Sequence, residues 1–195
     1  MNAELLNQAM NLFDKYEKFS AFIELSNART EIRNRYFARL KAEIFSYSIN
    51  SPWSVTADSF EQYRWILTEF KQGSICLVWN CWYFKLWCDP AIYDAVKTKE
   101  LLASPRFEPI KECFDYIDSI SPHPNIHHFF EEKHRFEFSE SLSYSALDSE
   151  NHDKLSWFAG NKTKEMGNLI MNKVNKFRTP EITELLIDLN HECKK

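Results

Sequence analysis

Three glycines, Gly73, Gly160 and Gly167, are all that 195 residues contain, well under the ordinary usage of about 7%. Loops that cradle phosphate with backbone N–H groups need glycines clustered within a few residues. The P-loop and the dinucleotide fingerprint are thereby excluded. No Gly-x-Ser-x-Gly elbow is present, so the hydrolase nucleophile turn is absent too. No apolar run approaches the roughly 18 residues that cross a bilayer, and no membrane partner is expected. The opening Met1-Asn2-Ala3-Glu4 has neither a basic n-region nor an apolar h-region, so no secretory leader is expected. Five cysteines, an odd number without a Cys-x-x-Cys pair, fit free thiols in a reducing cytoplasm.

Charge is also in short supply on one side. Lys and Arg number 24 against 28 Asp and Glu, a formal net charge of -4. Such a molecule has no overall cationic field to gather nucleic acid, and its acids form no dense run of the kind a DNA mimic needs. What is abundant is aromatic: 15% of residues, with 16 Phe and 6 Trp. Large rings dominate cores and interfaces, so an aromatic-rich core is expected, with any surplus marking a partner surface.

The chain reads as one α+β domain over 1–195. Residues 1–50 form an N-terminal helical hairpin that can project from the remainder, 51–195. One apolar stripe runs through Leu6, Met10, Phe13 and Tyr16; a second, through Ile32, Tyr36, Leu40 and Ile44. On one straight helix the two would be rotated by roughly 150°, so a break is placed near Ser26-Asn27. The period then changes from helix to strand. Tyr63, Trp65 and Leu67 alternate with Arg64, Ile66 and Thr68, Gly73 supplies a turn, and Ile75–Trp79 and Trp82–Trp87 follow as apolar strands. A small central antiparallel sheet of two to four strands results, with C-terminal helices packed on it. Asp89-Pro90, Ser104-Pro105 and Thr179-Pro180 each read as a helix start. Phe136 and Phe138 mark one side of a short strand. Trp157-Phe158-Ala159-Gly160-Asn161 interrupts a helical pattern, and Gly160-Asn161 is expected to kink that helix or to end it with a left-handed residue.

Three constellations carry chemistry. In the first, Glu69 and Lys71 fall on one face if the strand continues past Leu67, where a carboxylate could hold a divalent cation beside a lysine. With Asp58 upstream, Asp58 … Glu69-Phe70-Lys71 resembles the triplet of PD-(D/E)XK nucleases over about fourteen residues. The resemblance implies a Mg²⁺-dependent nuclease with Asp58, Glu69 and Lys71 as catalytic residues. The other reading is two charged residues leaving the end of the sheet. Of the histidines His123, His127, His128, His134, His152 and His191, His123 and His127 have the spacing of two ligands on a helix, but Pro124 argues against a regular helix across both, and no metal site is assigned.

The second constellation is Arg29 to Lys41, with five basic residues in thirteen. Arg29 and Arg33 lie inside the apolar arc of their helix at 100° per residue, and Arg35 and Arg39 flank it. A guanidinium on a core-facing stripe needs an anion. It is either an internal acid, Glu24, Glu43 or another, or a partner's carboxylate or phosphate. Trp157, beside the glycine interruption, is a candidate anchor for the same partner. The third is the aromatic run Trp79, Trp82, Tyr83, Phe84 and Trp87, either core or a stacking platform for bases.

The leading expectation is a non-enzymatic, cytoplasmic protein-binding module or accessory subunit without a cofactor. Its partner is a protein held through Arg29, Arg33, Arg35, Arg39 and Trp157. The alternatives are the Mg²⁺-dependent nuclease and a nucleic-acid-binding module on the Arg29–Lys41 helix. Oligomeric state is left open.

Overall fold

The computed structural model describes residues 12, 15–47, 52–59, 62–71, 73–80, 83–115, 128–133, 135–139, 142–145 and 152–195. Two helices come first, α1 (Tyr16–Asn27) and α2 (Arg29–Ser46). The break falls at Ala28, next to the expected Ser26-Asn27. Its N–H donates to Glu24 O at 3.0 Å, and its carbonyl accepts from Ile32 N–H at 3.0 Å, so the helical bonding is handed across the joint. α2 buries Phe37, Leu40 and Ile44; of the predicted stripe Leu40 and Ile44 are buried, while Ile32 and Tyr36 are only partly covered. Leu6, Met10 and Phe13 of the first stripe lie outside the described residues.

A five-stranded antiparallel sheet follows in the order β1-β2-β3-β4-β5. The strands are β1 (Trp53–Ser59), β2 (Gln62–Leu67), β3 (Cys76–Asn80), β4 (Tyr83–Trp87) and β5 (His128–Lys133). A separate two-stranded pair joins β6 (Arg135–Phe138) to β7 (Leu142–Ser145). The α+β class holds, with N-terminal helices, a small antiparallel sheet and C-terminal helices. The strand number exceeds the two to four expected. The addition on one edge is β1, where Trp53, Val55 and Ala57 pair with Leu67, Trp65 and Tyr63 on one face. Ser54, Thr56 and Asp58 alternate onto the other face, so Asp58 sits on a strand.

On the core face stand Tyr63, Trp65, Leu77, Trp79, Phe84 and Leu86, each at most 1% exposed. Tyr63 and Trp79 stack with ring centroids 5.2 Å apart. The aromatic run is therefore largely core: Trp79 and Phe84 are buried, Trp87 lies under the Arg64 guanidinium at 4.2 Å, and Trp82 lies outside the described residues. β5 carries a buried carboxylate. Glu132 accepts from Asp115 N–H at 3.0 Å and from the Lys173 ammonium, which also reaches Asp115 at 3.1 Å.

Of the three proline punctuation marks, Thr179-Pro180 opens a helix as expected. It starts α7 (Pro180–Cys193), with Thr179 Oγ1 accepting from Ile182 N–H. Ser104-Pro105 opens a short 3-10 turn (Pro105–Phe107) that runs into α4 (Glu108–Glu112). Asp89-Pro90 does not start a helix. Asp89 caps a turn, accepting from Ala91 N–H at 2.9 Å. The helix α3 (Ala95–Leu102) starts five residues on, where Asp94 accepts from both Val96 and Lys97 N–H at 3.0 Å. α5 (His152–Asn161) and α6 (Thr163–Phe177) meet at Lys162. The helix thus ends where the glycine interruption predicts, but without a left-handed residue, since Gly73 alone among the described glycines has positive φ.

Two buried side-chain contacts fasten the last helix to the sheet: the Trp53 indole N–H of β1 donates to Thr183 Oγ1 at 3.1 Å, and one amide clasps β3. Asn190, fully buried, accepts from Ile75 N–H at 2.9 Å and donates to Ile75 O at 3.1 Å and Leu186 O at 2.8 Å. It stands in for a neighbouring strand at the start of β3. Asn190→Ala strands both Ile75 backbone groups away from water, and each orphan costs about 1–3 kcal/mol. Urea unfolding is therefore expected to give a loss of about 2–5 kcal/mol; a loss below about 1 kcal/mol would disprove the clamp.

Candidate functional site

Two of the three glycines fix how α2 meets the C-terminal helices. A Cβ built on Gly160 would lie 2.0 Å from Tyr36 Cδ1, and one on Gly167 would lie 2.8 Å from Glu43 Cγ. Tyr36 and Glu43 are seven apart on α2, two turns along one side. The helix thus rests on α5 at one glycine and on α6 at the other. Gly160 serves close approach, which explains its place in a helix interior where glycine otherwise costs stability.

This approach brings the arginines to an acid 120 or more residues away. Asp153, in the first turn of α5, accepts from Arg29 Nε at 3.0 Å and from Arg33 Nε at 2.5 Å, both on Oδ1. Its Oδ2 accepts from Arg29 Nη2. The internal acid that the sequence demanded is therefore Asp153, and neither Glu24 nor Glu43. Arg39 donates to Gly160 O at 3.2 Å and lies over the Tyr36 ring. Arg35 pairs with Glu31 one turn back, in solvent. One carboxylate facing two guanidinium groups is held down to about 2, first by the Arg29 hydrogen bond and then by Arg33, against the opposing effect of burial.

Beside the pair lies an open groove of about 540 Å³. Phe22 and Leu25 of α1 form one end; Ile32, Tyr36 and the two arginines form one wall, and Ser156 and Trp157 of α5 the other. Trp157 is 42% exposed, with its ring edge-on to Phe158 at 5.3 Å. Arg29, Arg33 and Trp157, singled out separately in the sequence, share this groove; Arg35 and Arg39 are not part of its lining. Asp153, Phe22 and Leu25 were missed. Asp153 carried one faint signal, an acid in a helix first turn, where acids are common for dipole reasons alone.

The nuclease triplet is differently placed. β2 ends at Leu67, so Glu69-Phe70-Lys71 lies in the following turn and not on a strand face. Glu69 pairs with His191 Nε2 at 3.2 Å, and buried Phe70 meets the His191 ring at 4.9 Å. Lys71 is exposed. Asp58 holds Arg64 at 2.5 Å and Gln62 at 2.8 Å. It stands at the Gln62 end of the β1–β2 pair, roughly 17 Å of strand from Leu67 at about 3.3 Å per residue. Among the described residues no group of three or more His, Cys, Asp or Glu is placed to hold a metal ion. His123, His127 and His134 lie outside the described residues. The thiols of Cys76 and Cys88 are pushed up to about 12, and that of Cys113 to about 11, chiefly by burial. They remain protonated at neutral pH and are poor nucleophiles there. No helix of the described residues is long and apolar enough to cross a membrane.

No protein-family model, no curated protein and no solved structure matches this chain.

Two outcomes are expected from this geometry. Gly160→Ala forces a methyl into Tyr36, and overpacking of this kind costs about 1–3 kcal/mol. In a Tyr36→Ala background the same change is expected to cost less than half as much, a coupling that a double-mutant cycle on urea unfolding reads directly. For Asp153, the depressed value means that its contribution is complete above the unfolded value of about 3.9. That contribution is lost as pH falls from there through about 2. The stability difference between wild type and Asp153→Asn should therefore be flat near neutrality and close on acidification. A carboxyl carbon titrating at the ordinary value would refute the pairing.

Proposed function

We propose that this chain is a non-enzymatic protein-binding module, or the accessory subunit of a larger assembly, and that it receives its partner in the groove between α2 and α5. The observation that carries this reading is the convergence of Arg29, Arg33 and Trp157 on one open, mostly apolar groove. Aromatic and arginine side chains around a desolvated pocket are the usual anchors of protein recognition. Arg33, 22% exposed, spends one donor on Asp153; its guanidinium has further N–H groups for a partner's carboxylate or carbonyl. Two cations on one internal acid leave the groove floor positive, so an acidic partner segment suits it.

A nucleic-acid interface on the same helix is less well supported, because the formal net charge is -4 and the more exposed Arg35 is paired with Glu31. The nuclease reading is weakened by the distance of Asp58 from Glu69. We place the protein in a reducing cytoplasm, in keeping with the free Cys76, Cys88, Cys113 and Cys193.

Gentle purification from the native host is expected to bring down one stoichiometric companion, identified by mass spectrometry. Arg33→Ala combined with Trp157→Ala should lose it while the fold is kept, as read by circular dichroism. A chain that purifies without a companion contradicts the proposal. So does Mg²⁺-dependent cleavage of nucleic acid that Glu69→Ala abolishes.

A further inference from the structure

β1 is the outer strand of the five-stranded sheet, and among the described residues no strand pairs with its far side. The register fixes which backbone groups stand there. Trp53 faces Leu67, and one step out Pro52 O accepts from Thr68 N–H at 2.6 Å. In an antiparallel pair, hydrogen-bonded positions alternate with non-bonded ones. Ser54 and Thr56 therefore direct their N–H and carbonyl groups to Ile66 and Arg64 of β2. Trp53, Val55 and Ala57 turn theirs outward, to the open edge.

Native sheets guard such an edge with charge, proline, a bulge or brevity. Trp53-Ser54-Val55-Thr56-Ala57 contains neither charge nor proline, and the register shift of this pair falls beyond Ala57. That stretch is a template for one more strand, and its own sequence suits it. With a twofold axis through Val55, Trp53 lies opposite Ala57 of the second copy, Ser54 opposite Thr56, and Val55 opposite its own mate. Large meets small, hydroxyl meets hydroxyl, and β-branched meets β-branched. Asp58, the nearest charge, falls opposite Pro52. The two Asp58 carboxylates then stay roughly 20 Å apart, at about 3.3 Å per residue, and each already holds an Arg64. We infer that β1 pairs antiparallel with β1 of a second copy, so that two sheets run on as one across the dimer. The contact is narrow, carried by about six backbone hydrogen bonds, and belongs with the weak, reversible interfaces. None of the groove's lining residues is on β1, so the pair leaves both grooves open.

Sedimentation equilibrium on the pure full-length chain tests this, over about 1 to 500 µM. The expected result is a monomer–dimer equilibrium in the range of tens to hundreds of micromolar, roughly. Val55→Pro removes an outward N–H that no bond within the sheet uses, and Ser54→Lys adds the edge charge this strand lacks. Each should weaken the dimer at least about tenfold, with the fold retained by circular dichroism. Should Val55→Pro fail to fold, Ser54→Lys decides. Val96→Glu, on an exposed residue of α3, should change nothing. Hydrogen exchange locates the contact: raising the concentration should slow the Val55 and Ala57 amides. A chain that stays monomeric throughout, with the edge left to another protein's strand, overturns the inference. So does a dimer indifferent to Ser54→Lys, or one that leaves the exchange of the Val55 amide unchanged. These measurements involve no other protein, so they stand or fall apart from the companion sought for the groove.

Discussion

The contact on which the rest of this structure depends is the meeting of α2 with α5 and α6 at Gly160 and Gly167. Because a Cβ at either point would collide with Tyr36 or Glu43, these helices touch more closely than side-chain packing ordinarily permits. Everything on that side of the molecule inherits the spacing. Arg29 and Arg33 come within hydrogen-bonding distance of Asp153, Arg39 reaches the Gly160 carbonyl, and the groove lies beside them between α2 and Ser156 and Trp157. A chain so poor in glycine has placed two of its three against one helix, α2.

The electrostatics of the site follow from that closeness. A carboxylate between two guanidiniums removes the cost of leaving Arg33 half-buried, and the pair spans two elements far apart in sequence. Exposed pairs of this sort contribute little net stability. Its value lies in orientation: the arginines are held in one place, and an incoming acidic group meets donors already aligned. The Lys173, Glu132 and Asp115 cluster shows the same chemistry with a different result. There the charges largely satisfy one another beneath β5, and the outcome is a fastened strand.

Sequence patterns carried much of the scaffold and little of the site. Leu40 and Ile44 on α2, the alternation of β2, Phe136 and Phe138 on β6 and the cap at Thr179 are all local signals, and each is present in the structure. β1 had a readable alternation in Trp53, Val55 and Ala57 that its polar companions obscured. β5 had none, because Phe129 and Phe130 are both buried and Glu132 puts a charge on the core face. The placement of Arg29 and Arg33 inside an apolar arc announced that an anion must be near. Its identity depended on α5 returning to α2 after more than a hundred residues, and no pattern along the chain encodes that. The Glu69-Phe70-Lys71 motif turned on where β2 ends, and a shift of two residues moved it from a strand face into a turn.

The Asn190 clamp also bears on how the chain acquires its structure during synthesis. β1 to β4 form a meander of neighbouring strands, whose short loops close cheaply and early. The peptide groups of Ile75 nevertheless wait for a side chain 115 residues downstream. Until α7 has emerged and docked, water serves those groups, and the apolar surface around Trp53, whose indole will donate to Thr183 of α7, stays open to solvent. The nascent chain therefore passes through an interval in which a formed sheet has an uncovered aromatic surface, the condition under which chaperones engage. That interval ends when the Asn190 amide reaches Ile75.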